Sequence, residues 1–582
     1  MSDRPFLLST LVDFPDDCSE ITFTEDLLAQ LIDRLHWMGV RRVYWNYYGP
    51  GHWPWFIAHR PDGGTSGTLD NLGDPMAAGC RMAHERGMEF IGVLKPYENG
   101  PSHATPRSVM LENGWTGLRG IGGIYRVESW TLARPEMRVR VRQADLPVGL
   151  ENVPVTRIQL RQKDMASVRI KKENLEIWTS DNNDGYRKRE VDFNLSEGVD
   201  TCPHDVVEID GNLVTSAGDE VRVLDVSGLN LLDPFIAVTT NFTDHDGTFT
   251  NTPVEMVRAF GPDDEPLPIV VASHKAIWRI NRDFRSGDLE YDTGLGSATI
   301  RLDVSNSEAA FENWLSRADD APDGVVAFAK GRNRHLSGSL CEGEADVRAY
   351  WMEWVSDCIA AGVDGVDIRI SCHSSWTDSP EIYGFNRPVC EEYERRYGVN
   401  PDVEPYDPQL LADLRGDLYD RFVRAARERL TAAGLAFHHH VEIESFRPDA
   451  APSRTRSRPG HINFHWRGWL ENGLVDEVTL FGRQWQPERI LADEFIRETL
   501  DEINAHGVPG HLSLPVGISR QDGDRLADQI EIAYRSNQLA GYTMYESAAM
   551  YDRMATDAGG RLEFLPGLTE AVRDRSQELG LV

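Results

Sequence analysis

The sequence predicts an α/β protein built on a (β/α)8 TIM barrel, with an all-β sandwich domain inserted after the third barrel strand. Strand and helix patterns alternate near the N-terminus and resume after about residue 320, which gives eight strands in all. Short strand-like runs with turn residues fill the stretch between these two parts. A doubly wound sheet is the rival fold, but no G-x-G-x-x-G or G-x-x-x-x-G-K loop follows an early strand.

The domain boundaries follow from these patterns. Residues 1–126 are the first part of the barrel, residues 127–305 the inserted β-sandwich, and residues 306–582 the second part of the barrel.

The first part contains three β/α units. LLSTLVDF (7–14) reads as a strand, TEDLLAQLIDRLHWMG (24–39) as an amphipathic helix and VRRVYWNYY (40–48) as the second strand. Thr24 is the expected N-cap of that helix and Gly39 its end. A helix over about 71–87 leads into the third strand, EFIGVLKPY (89–97).

The middle stretch has almost no helical periodicity. Runs such as TRIQLRQK, LEIWTS, DEVRVLDV and FIAVTTNF alternate apolar and polar residues and are separated by turn residues. Strands of this length and spacing are typical of an antiparallel sandwich.

The last part resumes the alternation of helices and strands. The predicted helices cover 344–362, 386–397, 408–433, 488–506 and 523–540, and the predicted strands cover 365–370, 435–445, 475–482, 510–517 and 541–547.

The composition excludes several classes of partner. The net charge is −33, from 93 acidic and 60 basic residues, and such a surface repels nucleic acid and anionic membranes. No apolar run is long enough to span a membrane. Seven scattered cysteines and the lack of a standard signal sequence indicate a cytoplasmic protein. Few of the basic residues are Lys, and an acidic, Lys-poor chain is typical of a halophilic cytoplasm. The sequence leaves open whether the chain forms a homo-oligomer.

A TIM barrel places its active site at the C-terminal ends of its strands, so residues there are the candidates. Alternate residues of a strand face opposite sides, which puts Asp367 and Arg369 on one side and His438, His440, Glu442 and Glu444 on one side of the next strand. The predicted catalytic carboxylates are Asp367, Glu442 and Glu546, since glycosidic hydrolysis needs a pair of carboxyl groups.

The other candidates are polar or aromatic and would bind a carbohydrate substrate. Lys95, Arg369 and His440 would hold hydroxyls or a uronate carboxylate. The full substrate-binding set is Asn46, Lys95, Tyr97, Glu98, Arg369, His373, Trp376, His440, Glu444 and Trp485. Neither a cofactor nor a metal ion is expected.

Structural roles compete with these assignments. Asp367 and Arg369 form a structural pair in the first alternative, Glu442 and Glu444 satisfy the histidines in the second, and Glu546 caps the following helix in the third. Two other functions also stay open: a metal-dependent sugar isomerase or epimerase using His438, His440 and Glu442, and a non-catalytic carbohydrate-binding protein.

Several segments resemble known families. LARPEMRVR, VRAYWMEWVSDCIAAGVDGVDIRI and IYGFNRPVCEEYERRYG resemble the loosely defined, mostly uncharacterised glycoside-hydrolase-like TIM barrels labelled family-10-like. Arg369 stands where a second acid is often seen in that group. TRIQLRQKDMASVRIKKENLEIWTSDNNDGYRK is similar to discoidin-like, or galactose-binding-like, sandwiches. The two resemblances imply a glycoside hydrolase with a carbohydrate-binding insert.

Overall fold

The structure is a computed structural model of the chain. It describes residues 6–18, 21–47, 64–99, 129–132, 134–146, 149–162, 165, 170–180, 187–207, 213–240, 257–272, 325–330, 334–370, 380–443, 462–482, 487–516 and 523–582.

Eight parallel strands close into a barrel in chain order, as the alternation of strands and helices predicts. The last strand pairs with the first, and Leu11 lies opposite Tyr545 at that junction. The strands are β1 (Leu7–Val12), β2 (Arg42–Asn46), β3 (Glu89–Leu94), β4 (Gly365–Arg369), β5 (Ala436–Glu442), β6 (Glu477–Phe481), β7 (Gly510–Pro515) and β8 (Gly541–Tyr545).

The two faces of each barrel strand have different surroundings. On β4, Val366 and Ile368 belong to the large hydrophobic core that also contains Trp351 of the helix Ala345–Ala361. Inside the barrel, Leu11 packs with Tyr44 and other apolar side chains of neighbouring strands. The apolar residues of one parity therefore hold the helices against the barrel, while the other parity faces its interior.

Eight main helices and five shorter ones accompany the barrel strands in the described ranges. The main helices are α1 (Glu25–Trp37), α2 (Pro75–Glu85), α3 (Ala345–Ala361), α4 (Arg387–Tyr397), α5 (Pro408–Ala433), α6 (Glu494–Ala505), α7 (Gly523–Arg535) and α8 (Pro566–Glu578). Shorter helices cover Phe14–Asp17, Gly64–Leu72, Ser129–Leu132, Trp466–Glu471 and Pro487–Ala492. Thr24 accepts a hydrogen bond from the Leu27 amide, and Gly39 has a φ of 98°, which confirms both predicted ends of α1.

Two predicted helices are each divided by an aspartate cap. Asp74 accepts hydrogen bonds from the amides of Met76 and Ala77, so the predicted helix 71–87 is two helices, Gly64–Leu72 and α2. Asp493 similarly caps α6 and divides the predicted helix 488–506. The helix predicted at 523–540 ends earlier, at Arg535.

Between β3 and β4 the chain forms two five-stranded antiparallel sheets. Ile158 and Val226 of the first sheet share one hydrophobic cluster with Ile177 and Ile236 of the second. The first sheet contains Val155–Gln162, Asn194–Thr201, Glu220–Leu231, Val257–Phe260 and Pro266–Leu267, and the second contains Leu175–Ser180, Arg187–Arg189, Phe235–Thr240, Ile269–Ala272 and Val325–Lys330. The predicted insert boundaries, 127 and 305, remain a prediction.

Three further strand pairs complete the described sheets. Arg138–Arg140, within the segment LARPEMRVR, pairs with His335–Leu340 outside the barrel sheet. The other pairs are Val206–Val207 with Leu213–Thr215 and Tyr551–Thr556 with Leu562–Phe564. No helix in the described ranges combines the length and the apolar character that crossing a bilayer requires.

Candidate active site

A buried polar network lies at the C-terminal ends of β1, β2 and β3. The amide Nδ2 of Asn46 donates to Asp13 Oδ2 at 2.5 Å, and Lys95 Nζ lies 3.3 Å from the same oxygen. Lys95 Nζ also lies 3.7 Å from Glu98 Oε1. All four of these residues are buried, with an exposed fraction of at most 7%. Three consecutive strands thus bring two carboxylates onto one ammonium group.

Arg369, the last residue of β4, packs against two aromatic rings that also contact each other, with their centroids 5.1 Å apart. Its Cζ lies 4.9 Å from the ring centroid of Phe481 and 4.6 Å from that of Tyr545. Its Nη2 donates to the Tyr545 hydroxyl at 3.2 Å. The residue is 5% exposed, and its Nε and Nη1 have no hydrogen-bond partner within the described part of the chain.

The residues around Lys95 and Arg369 form a rim at the C-terminal end of the barrel. Lys95 and Arg369 both keep their charge in spite of burial. Desolvation alone lowers the pKa of Lys95, but Asp13 and Glu98 outweigh it and hold that pKa above its ordinary value. Desolvation likewise opposes the charge of Arg369, while Tyr545, Glu98 and Asp13 raise the pKa of its guanidinium. The rim therefore carries two permanent positive charges at neutral pH.

Asp367 lies two residues deeper in the barrel than Arg369. It is fully buried, and its Oδ2 accepts a hydrogen bond from Nδ1 of His440 on the adjacent strand. The His440 ring packs edge-on against Tyr44, with centroids 5.5 Å apart. The predicted structural pair of Asp367 with Arg369 does not form, because Asp367 is directed sideways to β5.

The other two predicted carboxylates lie at the ends of their strands. Glu442 ends β5, has the same parity as His440, is 4% exposed and is opposite Phe481 in the strand register. Glu546 directly follows β8, after a cis peptide bond from Tyr545. Its side chain makes no capping hydrogen bond to the 3-10 turn Ser547–Ala549, which removes the helix-cap alternative.

None of the described hydrogen bonds of the β5 histidines is made to Glu442. His439 faces outward, as its parity predicts, and its Nε2 lies 3.1 Å from the Tyr419 hydroxyl. His438 Nδ1 lies 3.4 Å from the Tyr44 hydroxyl, one layer below His440.

The isomerase alternative requires His438, His440 and Glu442 to share a metal ion. Among the residues that the structure describes, the group spaced closely enough for this is instead Asp417, Asp420 and His465. Two of its members belong to α5, outside the barrel. The structure gives the predicted metal-dependent alternative no support.

Tyr97 was predicted as a substrate-binding residue, and the structure places it elsewhere. Its ring is fully buried in the core around the barrel, 6.0 Å from the ring of Tyr419, and its hydroxyl donates to Glu342 Oε2 at 3.3 Å. The chain turns after Lys95, so strand parity no longer applies at Tyr97. Four further predicted residues lie outside the described ranges: His373, Trp376, Glu444 and Trp485.

A cavity of about 380 Å³ lies at the opposite end of the barrel, at the N-terminal ends of the strands. It is lined by Arg42, Glu89, His438 and Glu477 among others. Arg42 forms ion pairs with both Glu89 and Glu477. Because polar groups at this end of a TIM barrel serve stability, we assign the cavity no catalytic role.

Three residues at this end of the barrel, namely Asp13, Phe481 and Tyr545, lie at predicted strand ends, but the sequence assigns them no catalytic or binding role. Each lies at the C-terminal end of a barrel strand with inward parity, so strand position was the signal for all three. The stacking of Phe481 and Tyr545 on Arg369 depends on strands far apart in the sequence and had no local signal.

Comparisons with solved structures find remote similarity to several glycosidases. The catalytic domain of β-amylase from Paenibacillus polymyxa has 6% identity and a TM-score of 0.38, covering 98% of this chain and 99% of that one. Trehalose-6-phosphate hydrolase from Bacillus licheniformis has 8% identity and a TM-score of 0.29, covering 92% and 64%. A GH18 chitinase from Pseudoalteromonas aurantia has 11% identity and a TM-score of 0.22, covering 40% and 67%.

No protein-family model matches the sequence, and no curated protein matches it either. Similarity at this level carries no information about the substrate or the reaction of this chain.

Proposed function

We propose that the protein is a glycoside hydrolase that acts on an oligosaccharide at the C-terminal mouth of the barrel. One observation carries the proposal: two carboxylates, two cations and two aromatic rings from the ends of five different strands lie at this end of the barrel. Carboxylates supply the acid and the base of glycosidic hydrolysis, while polar groups and rings hold sugar hydroxyls and ring faces.

Glu442 and Glu546 are the carboxylates to which we assign the chemistry. Glu442 is the last residue of β5 and Glu546 directly follows β8. Asp367, in contrast, is fully buried and accepts a hydrogen bond from His440. One of the two glutamates protonates the glycosidic oxygen, and the other either attacks the anomeric carbon or activates a water molecule. The separation of the two carboxyl groups decides between these courses, at about 5 Å for retention and about 6.5–9.5 Å for inversion.

Asp367 acts as a positioning residue in this proposal. By accepting a hydrogen bond from Nδ1–H, it fixes the tautomer and the orientation of the His440 ring. Asn46, Lys95, Glu98, Arg369 and His440 then bind the sugar, together with the predicted His373, Glu444, Trp376 and Trp485. The proposal also retains the expected high-salt cytoplasm and a carbohydrate-binding role for the inserted sheets.

Amide variants of the two glutamates test the assignment. We expect Glu442→Gln and Glu546→Gln each to lower kcat/KM at least about 100-fold on an unactivated oligosaccharide. On 4-nitrophenyl glycosides the variant that lacks the general acid should lose less, because this leaving group needs little protonation. NMR of the first-formed sugar anomer then distinguishes retention from inversion.

Glu89→Gln is the matched control, because Glu89 lies on a barrel strand but at the N-terminal end, with a half-exposed side chain. It should retain the activity of the unchanged protein. Full activity in both the Glu442 and the Glu546 variants would contradict the assignment, and absence of turnover on every glycoside would contradict the proposed function.

A further inference from the structure

Arg369 is a buried cation without a counter-ion in direct contact. No described carboxylate forms an ion pair with its guanidinium, and its only described hydrogen bond goes to the neutral hydroxyl of Tyr545. Two of its three nitrogen atoms, Nε and Nη1, are buried and have no acceptor among the described residues. The side chain thus presents unused donors at the mouth of the barrel.

Such an arrangement is costly for a protein that has no ligand. A buried N–H group without an acceptor loses its hydrogen bonds to water without compensation, and the loss is larger when the group carries charge. The cost is offset when a ligand supplies the missing acceptors, and an anionic oxygen offsets it most effectively.

The neighbouring carboxylates do not fill this role. Asp13 and Glu98 both lie against Lys95, which is within 3.3 Å of one and 3.7 Å of the other. Asp367 is taken by His440 in the layer below. No described ion pair joins Glu442 or Glu546 to Arg369 either, so the guanidinium remains available.

The surroundings of Arg369 also suit the recognition of an oxyanion. The ring centroids of Phe481 and Tyr545 lie 4.9 and 4.6 Å from the guanidinium carbon, so the two rings restrict the positions that the side chain can take. A guanidinium that is held in this way binds a carboxylate or sulfate with directed hydrogen bonds, which a lysine cannot reproduce.

We propose that Arg369 binds an anionic substituent of the sugar, so that the substrate is an acidic oligosaccharide carrying carboxylate or sulfate groups. This inference rests on the proposed function for its account of the substrate. Carboxylate and sulfate share the feature that Arg369 would recognise: an anionic group with at least two acceptor oxygens, attached to a sugar ring that enters the barrel mouth.

Binding and turnover are measured separately to test this. Isothermal titration with glucuronate, glucose 6-sulfate and glucose gives binding without any requirement for hydrolysis. Turnover is measured on 4-nitrophenyl glucuronides, 6-sulfated glucosides and plain glucosides of both anomers. The variants are Arg369→Met, which keeps an unbranched side chain but removes every donor, and Arg369→Lys, which keeps the charge.

We expect one of the two acidic sugars to bind at least about tenfold more tightly than glucose. Arg369→Met should weaken binding of that sugar about 100-fold while changing glucose binding less than about threefold, since hydrogen bonds to charged groups are the stronger ones. Arg369→Lys should recover only part of the loss. Circular dichroism of both variants establishes that they fold, and Arg395→Met, on the exposed side of α4, is the control for loss of an arginine.

Equal binding of glucose and both acidic sugars would overturn the inference, as would an Arg369→Met variant that loses all three sugars equally. Turnover of neutral glycosides only would also overturn it, and would leave the proposed function standing. Acid-selective binding that depends on Arg369, without turnover of any glycoside, would support the inference and reject the hydrolase.

Discussion

Asp367 accepts a hydrogen bond from Nδ1 of His440 across two adjacent barrel strands, and both side chains are almost completely shielded from solvent. The pairing connects the inner layer of the barrel to its mouth, since His440 lies between Asp367 below and the residues at the end of β5 above. The dyad therefore links barrel stability to the geometry of the candidate site.

The first prediction concerns this dyad. Asp367→Asn replaces the carboxylate by an amide, and we expect the free energy of unfolding to fall by about 1–3 kcal/mol because the buried imidazole N–H exchanges a charged acceptor for a weaker neutral one. In a double-mutant cycle with His440→Gln, the coupling energy should reach at least about 1 kcal/mol, measured by urea denaturation.

His439→Gln provides the control cycle, because His439 is on the same strand but faces the surrounding core and contacts Tyr419. Its coupling with Asp367 should be much smaller than that of His440. Equal coupling for the two histidines would contradict the role that we give to the dyad.

The parity of single strands was predictable from the sequence, but the pairing between strands was not. Alternation within β4 and β5 is a local property, and it correctly placed Asp367 and His440 inside and His439 outside. The partner of Asp367 depends on the lateral register of two strands about 70 positions apart, which no local pattern specifies. Tyr97 shows the same limit, since the turn after β3 ends the alternation that would have placed it.

The second prediction concerns acid sensitivity. Burial lowers the pKa of His438 to about 4 from 6.5, so this histidine stays neutral in the folded protein where the unfolded chain is protonated. The unfolded state therefore binds more protons between pH 6.5 and 4, and stability falls as the pH falls through that window. His438→Gln should reduce this loss by about 3 kcal/mol, from roughly 1.4 kcal/mol for each unit of pKa.

Urea denaturation at several pH values between 7 and 4 measures the effect. His506→Gln is the control, because His506 lies exposed at the end of α6. It should leave the slope of stability against pH unchanged. An identical slope for the His438 variant and the unchanged protein would show that His438 is protonated in the folded state.

The third prediction concerns a buried ion pair beside the barrel. Arg415 of α5 and Glu342 are both completely buried, with Nη2 and Oε2 3.0 Å apart, and the Tyr97 hydroxyl also donates to Glu342. Arg415→Met leaves the Glu342 carboxylate buried without its cation. We expect a loss of about 3–5 kcal/mol in the free energy of unfolding, because an unpaired buried charge is poorly solvated.

Adding Glu342→Gln to that variant should recover part of the loss, since the unpaired charge is then removed. The exposed pair Arg387 and Glu391 is the control, and Arg387→Met should have no measurable effect on stability. If the double variant were less stable than Arg415→Met alone, the unpaired carboxylate would not be the source of the loss.

The fourth prediction concerns the contact between α7 and α8. A Cβ on Gly523, the first residue of α7, would lie only 1.8 Å from the carbonyl oxygen of Gly567 in α8. Gly523→Ala must therefore separate the two helices, and we expect it to lower the free energy of unfolding by about 1–3 kcal/mol.

Gly567→Ala is the matched variant on the other side of the contact, where a Cβ would meet no atom within 4 Å. Because alanine has the higher helix propensity, Gly567→Ala should be neutral or up to about 1 kcal/mol more stable. Thermal denaturation of the two variants measures the difference, and a Gly523→Ala protein as stable as Gly567→Ala would show that the helices are packed less closely than the structure has them.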